Sequence, residues 1–343
     1  MLFKRLKQKI ERKLLHLWQE KTGLTKSLRP LSWLYCTIIF FRKLAYRLNF
    51  KKTEKLPVAV IVVGNLTVGG TGKTPLVIWL ANFLKDNGFK PGIISRGYGG
   101  KARHWPQQVR PDSDPYAAGD ESVLIARRTH CPMAVGPERI VAGKELLHYH
   151  PDCNVIISDD GLQHLALDRD IEIVVVDGER RFGNEYCLPA GPLREPVKRI
   201  SKVDFVVTNG VAAKDEYAMK YSASHYNNIL DESKSKPLED LKGKAIHAVA
   251  GIGNPDRFFK KLKGLGAKII PHDFPDHHMY EEDDLKFEDK NDVVMTEKDA
   301  VKCKRYADKK HWFIPITAEL QDKFGQAILK KLKETESNGS KTT

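Results

Sequence analysis

A glycine-rich segment at residues 66–77, LTVGGTGKTPLV, has the residue types whose chemistry is easiest to interpret. Glycines at this density let the backbone turn its N–H groups toward an anion, and a helix that begins beside them adds the positive end of its dipole. The lysine that follows suits the β- and γ-phosphates of a nucleotide, and the threonine suits Mg²⁺. The candidate nucleotide-binding residues are Gly69, Gly70, Thr71, Gly72, Lys73 and Thr74.

This segment departs from the strict phosphate-loop pattern GxxxxGK[ST], because Thr67 stands at the position of the first glycine. The pair Gly69-Gly70 matches the GGxGKT variant instead. An apolar run at 58–63 predicts a strand before the loop, and residues 73–86 predict a helix after it. That order favours nucleotide binding over an ordinary glycine-rich turn between a strand and a helix.

Two pairs of acidic residues could bind a cation or accept a proton. VIISDDGLQH ends an apolar strand in Asp159-Asp160, where carboxylates of phosphate-loop proteins meet Mg²⁺, although an Asx turn after a strand is an alternative. Asp120-Glu121 begins a predicted helix, and helix capping explains that pair equally well.

Two further segments carry charged or titratable residues. Arg139, in PERI, could stabilise charge on a phosphate, but on the sequence alone a surface helix start is the favoured explanation. DFPDHHMY contains Asp276, His277 and His278. Adjacent histidines point apart and no third ligand lies near them in the sequence, so an aspartate-oriented histidine at a domain cleft is favoured over a zinc site.

The N-terminal 52 residues hold fourteen Lys or Arg and two acids, and so account for nearly all of the net charge of +13. Apolar residues recur every three or four positions from residue 2 to 18, which predicts a basic amphipathic helix. LSWLYCTIIFF then gives eleven residues without a charge, too few to cross a bilayer. We therefore predict attachment to an anionic lipid surface. The alternative is a helix packed on the protein's own core with a solvated basic face, and nucleic acid is disfavoured because no recognised nucleic-acid module accompanies the charge.

The remaining pattern predicts an α/β fold: a mainly parallel sheet with helices on both faces, then a second, smaller α/β domain. The predicted organisation is a membrane-associating segment at 1–52, a phosphate-loop domain at 53–208, a second domain at 209–317, a helix at 318–334 and a disordered tail at 335–343. Five cysteines without CxxC spacing indicate a reduced, cytosolic chain. We expect a monomer.

A series of motifs, in order from about residue 57 to 302, resembles the tetraacyldisaccharide 4′-kinase family, the lipid A 4′-kinases of Gram-negative bacteria. In this family Thr67 is the usual residue, whereas Ser122 stands where proline is expected after GDE; both acids of that motif remain. The motifs are VGNLTVGGTGKTP, SRGYGG, GDE, PERIVAG, DDGLQH, LPAGPLREP, GIGNPDRFF, FPDHHMY and TEKDAVK.

The resemblance implies an ATP- and Mg²⁺-dependent kinase on the cytoplasmic face of the bacterial inner membrane. Its glycolipid substrate is tetraacyldisaccharide 1-phosphate, and transfer of the γ-phosphate to the 4′-hydroxyl gives lipid IVA. In the implied site, Asp120 takes up or orients the hydroxyl proton, and its partner is His277, chosen over the adjacent His278 because it directly follows Asp276, which orients the imidazole; the sequence itself does not decide between the two histidines. Arg139 and Arg96 neutralise phosphate charge, and the implied Mg²⁺ ligands are Thr74, Glu121, Asp159, Asp160 and Gln163.

Two other functions fit parts of this pattern. One is a membrane-associated ATPase or switch of the GGxGKT type, although such proteins carry a signature lysine where this chain has Val68. The other is a non-catalytic membrane adaptor that uses a nucleotide as a switch. A requirement of ATP turnover for a lipid acceptor distinguishes the kinase from both.

Overall fold

The computed structural model describes residues 13, 14 and 16–339. Their strands form two sheets, one of nine strands and one of six. The predicted amphipathic helix at residues 2–18 lies largely outside the described residues. The helices, numbered along the described chain, are α1 (Gly23–Ser27), α2 (Arg29–Arg47), α3 (Lys73–Asp86), α4 (Pro115–Ala118), α5 (Asp120–Thr129), α6 (Arg139–Tyr149), α7 (Pro255–Gly264), α8 (Glu297–Cys303) and α9 (Asp322–Gly339).

The larger sheet is parallel through its seven central strands and antiparallel at both edges. Its strands are β1 (Ala59–Gly64), β2 (Pro91–Ser95), β3 (Gln107–Gln108), β4 (Met133–Val135), β5 (Val155–Asp159), β6 (Ile171–Asp177), β7 (Phe205–Asn209), β8 (Tyr217–Ser222) and β15 (Thr317–Leu320). They lie in the order β15-β8-β7-β6-β1-β5-β2-β4-β3. The phosphate-loop strand β1 is therefore central, between β5 and β6.

Both faces of the larger sheet are covered, which is why its strands are continuous apolar runs. On β1, Ile61 and Val63 belong to the core that includes α3, α5 and α9. Val60 and Val62 point to the opposite core, which includes α6, with residues of α2 packed against it. Each fully buried Val or Ile side chain stabilises the fold by roughly 1.5–3 kcal/mol. The carboxyl ends of these rigid central strands carry the candidate site.

The smaller sheet follows in the chain and is mixed. Its strands are β9 (His225–Asn228), β10 (Ser235–Pro237), β11 (Ala245–Ala250), β12 (Lys268–Asp273), β13 (Asp292–Thr296) and β14 (His311–Ile314). They lie in the order β10-β9-β14-β13-β11-β12, with β9 and β10 antiparallel to their neighbours and the other four parallel. The predicted fold class, a main parallel α/β unit with a second α/β unit, is confirmed.

Three predicted boundaries differ from the structure. The first sheet continues beyond residue 208 through β8, and the chain returns to it at β15 and α9, so the change of sheet comes after residue 222. Residues 317–320 form a strand rather than the start of the last helix. That helix runs from Asp322 to Gly339, so residues 335–339 of the predicted disordered tail are helical.

Helix α2 contains the uncharged run and presents it outward. Among residues 13–14 and 16–339, no helix combines the length and the apolar character that crossing a membrane requires. The inner side of α2 is fixed: the buried Ser32 hydroxyl donates to the Cys187 carbonyl (2.8 Å), and the Tyr35 hydroxyl donates to the Arg194 carbonyl (3.1 Å). The exposed large apolar residues of α2 are Leu31, Trp33, Leu34, Ile38, Phe40 and Phe41.

Candidate active site

The glycine-rich loop joins the carboxyl end of β1 to the start of α3. Gly72, at the helix start, has a φ of +103°, and a Cβ built there would lie 2.0 Å from the Tyr221 hydroxyl oxygen. Only glycine satisfies both the left-handed backbone and this close approach of β8. The loop is thus held between its own helix and a strand that sequence reasoning did not identify.

The ammonium group of Lys73 contacts two side-chain oxygen atoms. Its Nζ lies 3.1 Å from Asn65 Oδ1 and 3.4 Å from Asp160 Oδ1. Asn65 is fully buried and also donates to the carbonyls of Thr67 (2.7 Å) and Gly69 (3.3 Å). Asn65 therefore connects the loop backbone to the lysine, a role that the motif VGN did not reveal by sequence alone.

The acidic pair at the end of β5 faces the same loop. Asp159 is buried, accepts from the Ser95 hydroxyl (3.0 Å), and has a second oxygen, Oδ1, that is buried without a hydrogen-bond partner. Burial, helped by Glu121 and Asp160, raises the pKa of Asp159 to about 7. An unpartnered carboxylate oxygen with a raised pKa is the environment that a cation would relieve.

Asp160 is neutralised by cations on both sides. Besides Lys73, the Arg194 guanidinium lies 3.2 Å from Asp160 Oδ1. Although burial opposes ionisation, Lys73 and Arg194 hold the pKa of Asp160 below its usual range. Adjacent residues of one motif thus have carboxyl groups with opposite pKa shifts.

Gln163 links Asn65, next to the loop, to the LPAGPLREP segment by hydrogen bonds. Its amide nitrogen donates to the Asn65 carbonyl (3.1 Å) and to Glu195 Oε1 (3.0 Å). Glu195 is buried and also accepts from Lys43 of α2. These contacts use the amide nitrogen structurally, and a role for Gln163 at Mg²⁺ stays a prediction.

Arg139 and Arg96 both line the cavity but differ in burial. Arg139 is buried, and its guanidinium donates to the carbonyls of Gly136 (2.9 Å) and Asp160 (3.5 Å). Burial lowers the pKa of Arg139 to about 10, against the effect of the nearby Asp159, so it remains a cation at neutral pH. Arg96 is exposed.

The predicted pairing of Asp120 with His277 is present in the geometry. His277 Nδ1 lies 2.9 Å from Asp120 Oδ1, although 157 residues separate the two in the chain. Asp120 is buried at the start of α5, and Lys302 Nζ lies 3.5 Å from its other oxygen. Burial favours the neutral form of the Asp120 carboxyl group. This effect is outweighed by Lys298, the hydrogen bond from His277 and Lys302, which together hold the pKa of Asp120 well below its usual range. The hydrogen bond to Asp120 raises the pKa of His277 against the effect of burial.

Asp276 contacts the backbone of His277 more closely than its ring. Its Oδ1 accepts from the His277 backbone N–H (3.1 Å), whereas its Oδ2 is 3.8 Å from the ring Nε2. The imidazole is hydrogen-bonded by Asp120, so the prediction that Asp276 is the residue that orients the ring is not supported by these distances. His278 points elsewhere and lies 2.8 Å from Asp284 Oδ2.

Glu121, the residue beside Asp120, is paired with a lysine. Lys298 Nζ lies 3.0 Å from Glu121 Oε1 and 3.0 Å from Asp276 Oδ1. Sequence reasoning assigned no role to Lys298 or Lys302, although both belong to the TEKDAVK motif. Their spacing of four places them on one face of α8, which was the available signal.

One cavity of about 1280 Å³ is lined by most of these groups, whereas Asp120, which is buried and hydrogen-bonded to His277, is not part of the lining. It is large enough for a nucleotide with part of a second substrate. Its lining includes residues of both sheets' units, and the predicted site residues along it are Gly69, Gly70, Thr71, Gly72, Lys73, Thr74, Arg96, Glu121, Arg139, Asp159, Asp160, Gln163, Asp276 and His277.

The fold and this cavity define a phosphate-loop α/β protein with a carboxylate–histidine pair whose histidine lines the same cavity as the glycine-rich loop. Comparison with known proteins identifies the family. The family described as tetraacyldisaccharide-1-P 4′-kinase (LpxK) matches residues 24–333. This chain belongs to that family.

Curated relatives and a solved structure agree with this. A tetraacyldisaccharide 4′-kinase of Nitrosococcus oceani is 52% identical over 321 residues, covering 94% of each chain. One of Methylobacillus flagellatus is 52% identical over 316 residues, covering 92% of this chain and 94% of its own. The crystal structure of LpxK from Aquifex aeolicus in complex with ATP has a TM-score of 0.77 at 33% identity, covering 90% of this chain and 99% of that chain.

Proposed function

We propose that this protein transfers the γ-phosphate of ATP to the 4′-hydroxyl of tetraacyldisaccharide 1-phosphate, which yields lipid IVA. Membership of the kinase family and the likeness to a relative solved with ATP support the reaction class. The observation that carries the assignment is the pair of Asp120 and His277, 2.9 Å apart beside the cavity that contains the phosphate loop. A non-catalytic switch has no need of such a pair. An ATPase also has an acceptor with a proton, water, so transfer of phosphate to the lipid is what distinguishes the kinase from it.

Asp120 and His277 act on the acceptor hydroxyl. Asp120 accepts the hydrogen of the sugar hydroxyl and orients its oxygen toward the γ-phosphorus. With its depressed pKa it is a weak base in the ground state, but the transition state of phosphoryl transfer is loose, so the hydroxyl becomes acidic only as its bond to phosphorus forms. His277 holds Asp120 in place by donating a hydrogen bond from Nδ1.

The phosphate groups lie against the loop and its surrounding cations. The backbone N–H groups of residues 69–74 and the Lys73 ammonium bind the β- and γ-phosphates. In the structure, contacts with Asp160 and Asn65 fix the direction of the Lys73 amine. Arg139, with Arg96, stabilises the negative charge on the transferred group.

A magnesium ion fits the carboxyl end of β5. The unpartnered, buried oxygen of Asp159 is a hard ligand with no competing hydrogen bond. Within residues 13–14 and 16–339, no three His, Cys, Asp or Glu side chains form a cage that could hold a metal by themselves. Asp159 and Asp160 with the Thr74 hydroxyl would therefore hold the ion together with phosphate oxygens and water. When bound, the ion neutralises phosphate charge.

Helix α2 is proposed to place the site at the lipid surface on the cytoplasmic face of the inner membrane. Its inner side is hydrogen-bonded to the segment that borders the cavity, and its outer side exposes large apolar side chains: Trp33, Phe40 and Phe41 are each about 60% exposed. Monomeric proteins rarely leave so much contiguous apolar surface in water. The substrate has four acyl chains, so an enzyme at the interface can reach its headgroup without extracting it.

We expect the triple substitution Trp33→Gln, Ile38→Gln and Phe41→Gln to lower binding to phosphatidylcholine–phosphatidylglycerol vesicles by about 10²-fold or more, because each side chain contributes roughly 1–2 kcal/mol when buried in lipid. Vesicle flotation measures the bound fraction. The control, Tyr149→Gln, Val211→Gln and Ile270→Gln, removes exposed apolar groups elsewhere and should bind as the wild type does. Equal binding of both triple variants would refute the interfacial role of α2.

The test of the reaction is transfer of label from γ-labelled ATP. Purified protein receives Mg²⁺ and tetraacyldisaccharide 1-phosphate in detergent micelles, and lipid and aqueous products are separated. We expect label in the lipid. Label released only as free phosphate, at a rate that the lipid does not change, would contradict the kinase function and favour the ATPase or switch of the GGxGKT type.

A further inference from the structure

Helix α8 of the second sheet's unit packs against α5 of the first through charged side chains. Lys302 lies 3.5 Å from Asp120, and Lys298 lies 3.0 Å from Glu121. Thus each carboxylate at the start of α5 receives an ammonium group from the same face of α8. None of these lysines contacts the phosphate loop by an ion pair or hydrogen bond that the structure shows among the described residues.

Two observations make Lys298 the centre of this contact. Its side chain is only 15% exposed, and its second partner is Asp276, 3.0 Å away. Burial favours the neutral amine, but three nearby carboxylates outweigh this effect: Glu121, Asp120 and Asp276. They raise the pKa of Lys298 well above its usual value, so its side chain stays a cation. One ammonium group therefore links the start of α5 to the turn that carries His277.

That turn has a backbone that needs support. His277 has a φ of +56°, a left-handed conformation that costs a non-glycine residue of order 1 kcal/mol. Asp276 Oδ1 accepts both from the His277 backbone N–H (3.1 Å) and from Lys298 (3.0 Å). The lysine thus fixes the carboxylate that fixes the turn.

We propose that Lys298 is a positioning residue: by bridging Glu121 and Asp276 it keeps His277 against Asp120 in the arrangement that phosphate transfer requires. The proposal rests on the kinase function argued above. Without the ammonium group, the two carboxylates repel each other at short range, and the turn is free to move away from α5. A displacement of about 1 Å in a catalytic group is enough to lower a rate by about 10²-fold.

The test is steady-state kinetics of Lys298→Met with both substrates. We expect kcat to fall by about 10²-fold and the KM for ATP to change by less than about threefold, because the lysine acts on the acceptor side. Lys298→Arg keeps the charge, so its kcat should be at least about tenfold higher than that of Lys298→Met. Lys304→Met removes an exposed lysine just after α8 and should behave as the wild type does.

A second variant and a second measurement distinguish loss of the Lys298 bridge from misfolding of the variant. Asp276→Asn breaks the same bridge from the other side and should give a similar fall in kcat. Hydrogen exchange of residues 274–280 should rise in both variants. An unchanged kcat and exchange in Lys298→Met, matching Lys304→Met, would overturn the proposal, as would a lost affinity for ATP with an unchanged kcat. If the wild type transfers no phosphate to lipid, the kinase function fails instead, and the exchange difference still decides whether Lys298 fixes the turn.

Discussion

Asp120→Asn is expected to lower kcat for lipid phosphorylation by about 10³–10⁴-fold, with a change of less than about fivefold in the dissociation constant of ATP. Asparagine keeps the size of the side chain but neither accepts a proton nor carries charge. The acceptor hydroxyl then loses its base, and the buried Lys302, 3.5 Å away, loses part of its neutralisation. Affinity for ATP depends on the phosphate loop, to which Asp120 does not belong.

The matched control for Asp120→Asn is Asp112→Asn, an exposed aspartate in the preceding loop. It should have wild-type kinetics. Thermal unfolding of both variants, with and without ATP, separates lost chemistry from lost folding. A fall in kcat of less than about tenfold for Asp120→Asn in a folded, ATP-binding protein would mean that Asp120 is not the group that handles the acceptor proton.

His277→Ala provides an internal comparison within the same pair. If the two residues act as a unit, the double variant should be little worse than Asp120→Asn alone, since effects within a catalytic unit are not additive. Strict additivity of the two losses would indicate that each residue acts independently, for example on different substrates.

The central part of the fold was accessible from sequence because it depends on local patterns. Strands β1, β5 and β6 are apolar runs, and the helix after the loop begins at the glycine-rich motif; both are properties of consecutive residues. The strand β8, YAMKYS, was missed because it is largely half-buried and has no such pattern. Its place in the sheet is decided by pairing with β7 and β15, which no local signal reveals.

The candidate site, like the fold, could be predicted where its residues form local motifs and not where they are far apart in the sequence. The residues proposed to bind phosphate and move the proton could be predicted because their motifs are local, and the resemblance to a family supplied the predicted pairing of Asp120 with His277. The partners that orient them were not identified: Asn65 is a buried amide just after β1, and Lys298 reaches Glu121 across 177 residues of sequence. The choice of Asp276 as the orienting residue followed adjacency in sequence, whereas in three dimensions Asp120 occupies that position at the imidazole.

Lys73→Met is expected to lower kcat/KM for ATP by about 10²–10³-fold, through both a weaker affinity for ATP and a lower kcat. A charge-assisted hydrogen bond to phosphate contributes about 1.5–3 kcal/mol, and stabilisation of transition-state charge adds to it. Methionine has a similar length without the charge, so the loop glycines keep their conformation. Isothermal titration with a non-hydrolysable ATP analogue gives the affinity, and the labelled-lipid assay gives kcat.

The ion pair of Lys73 with Asp160 adds a second expected effect, on thermal stability. Removing the ammonium group leaves Asp160 with Arg194 as its cationic partner, 3.2 Å away, so the variant should also unfold at a lower temperature. Adding Asp160→Asn to Lys73→Met should restore part of that stability without restoring the rate. Lys90→Met, which removes a lysine whose side chain is 63% exposed, is the surface control. If Lys73→Met retained ATP affinity and kcat within about threefold, the glycine-rich loop would bind the phosphates through its backbone alone, and the role given to Lys73 would be wrong.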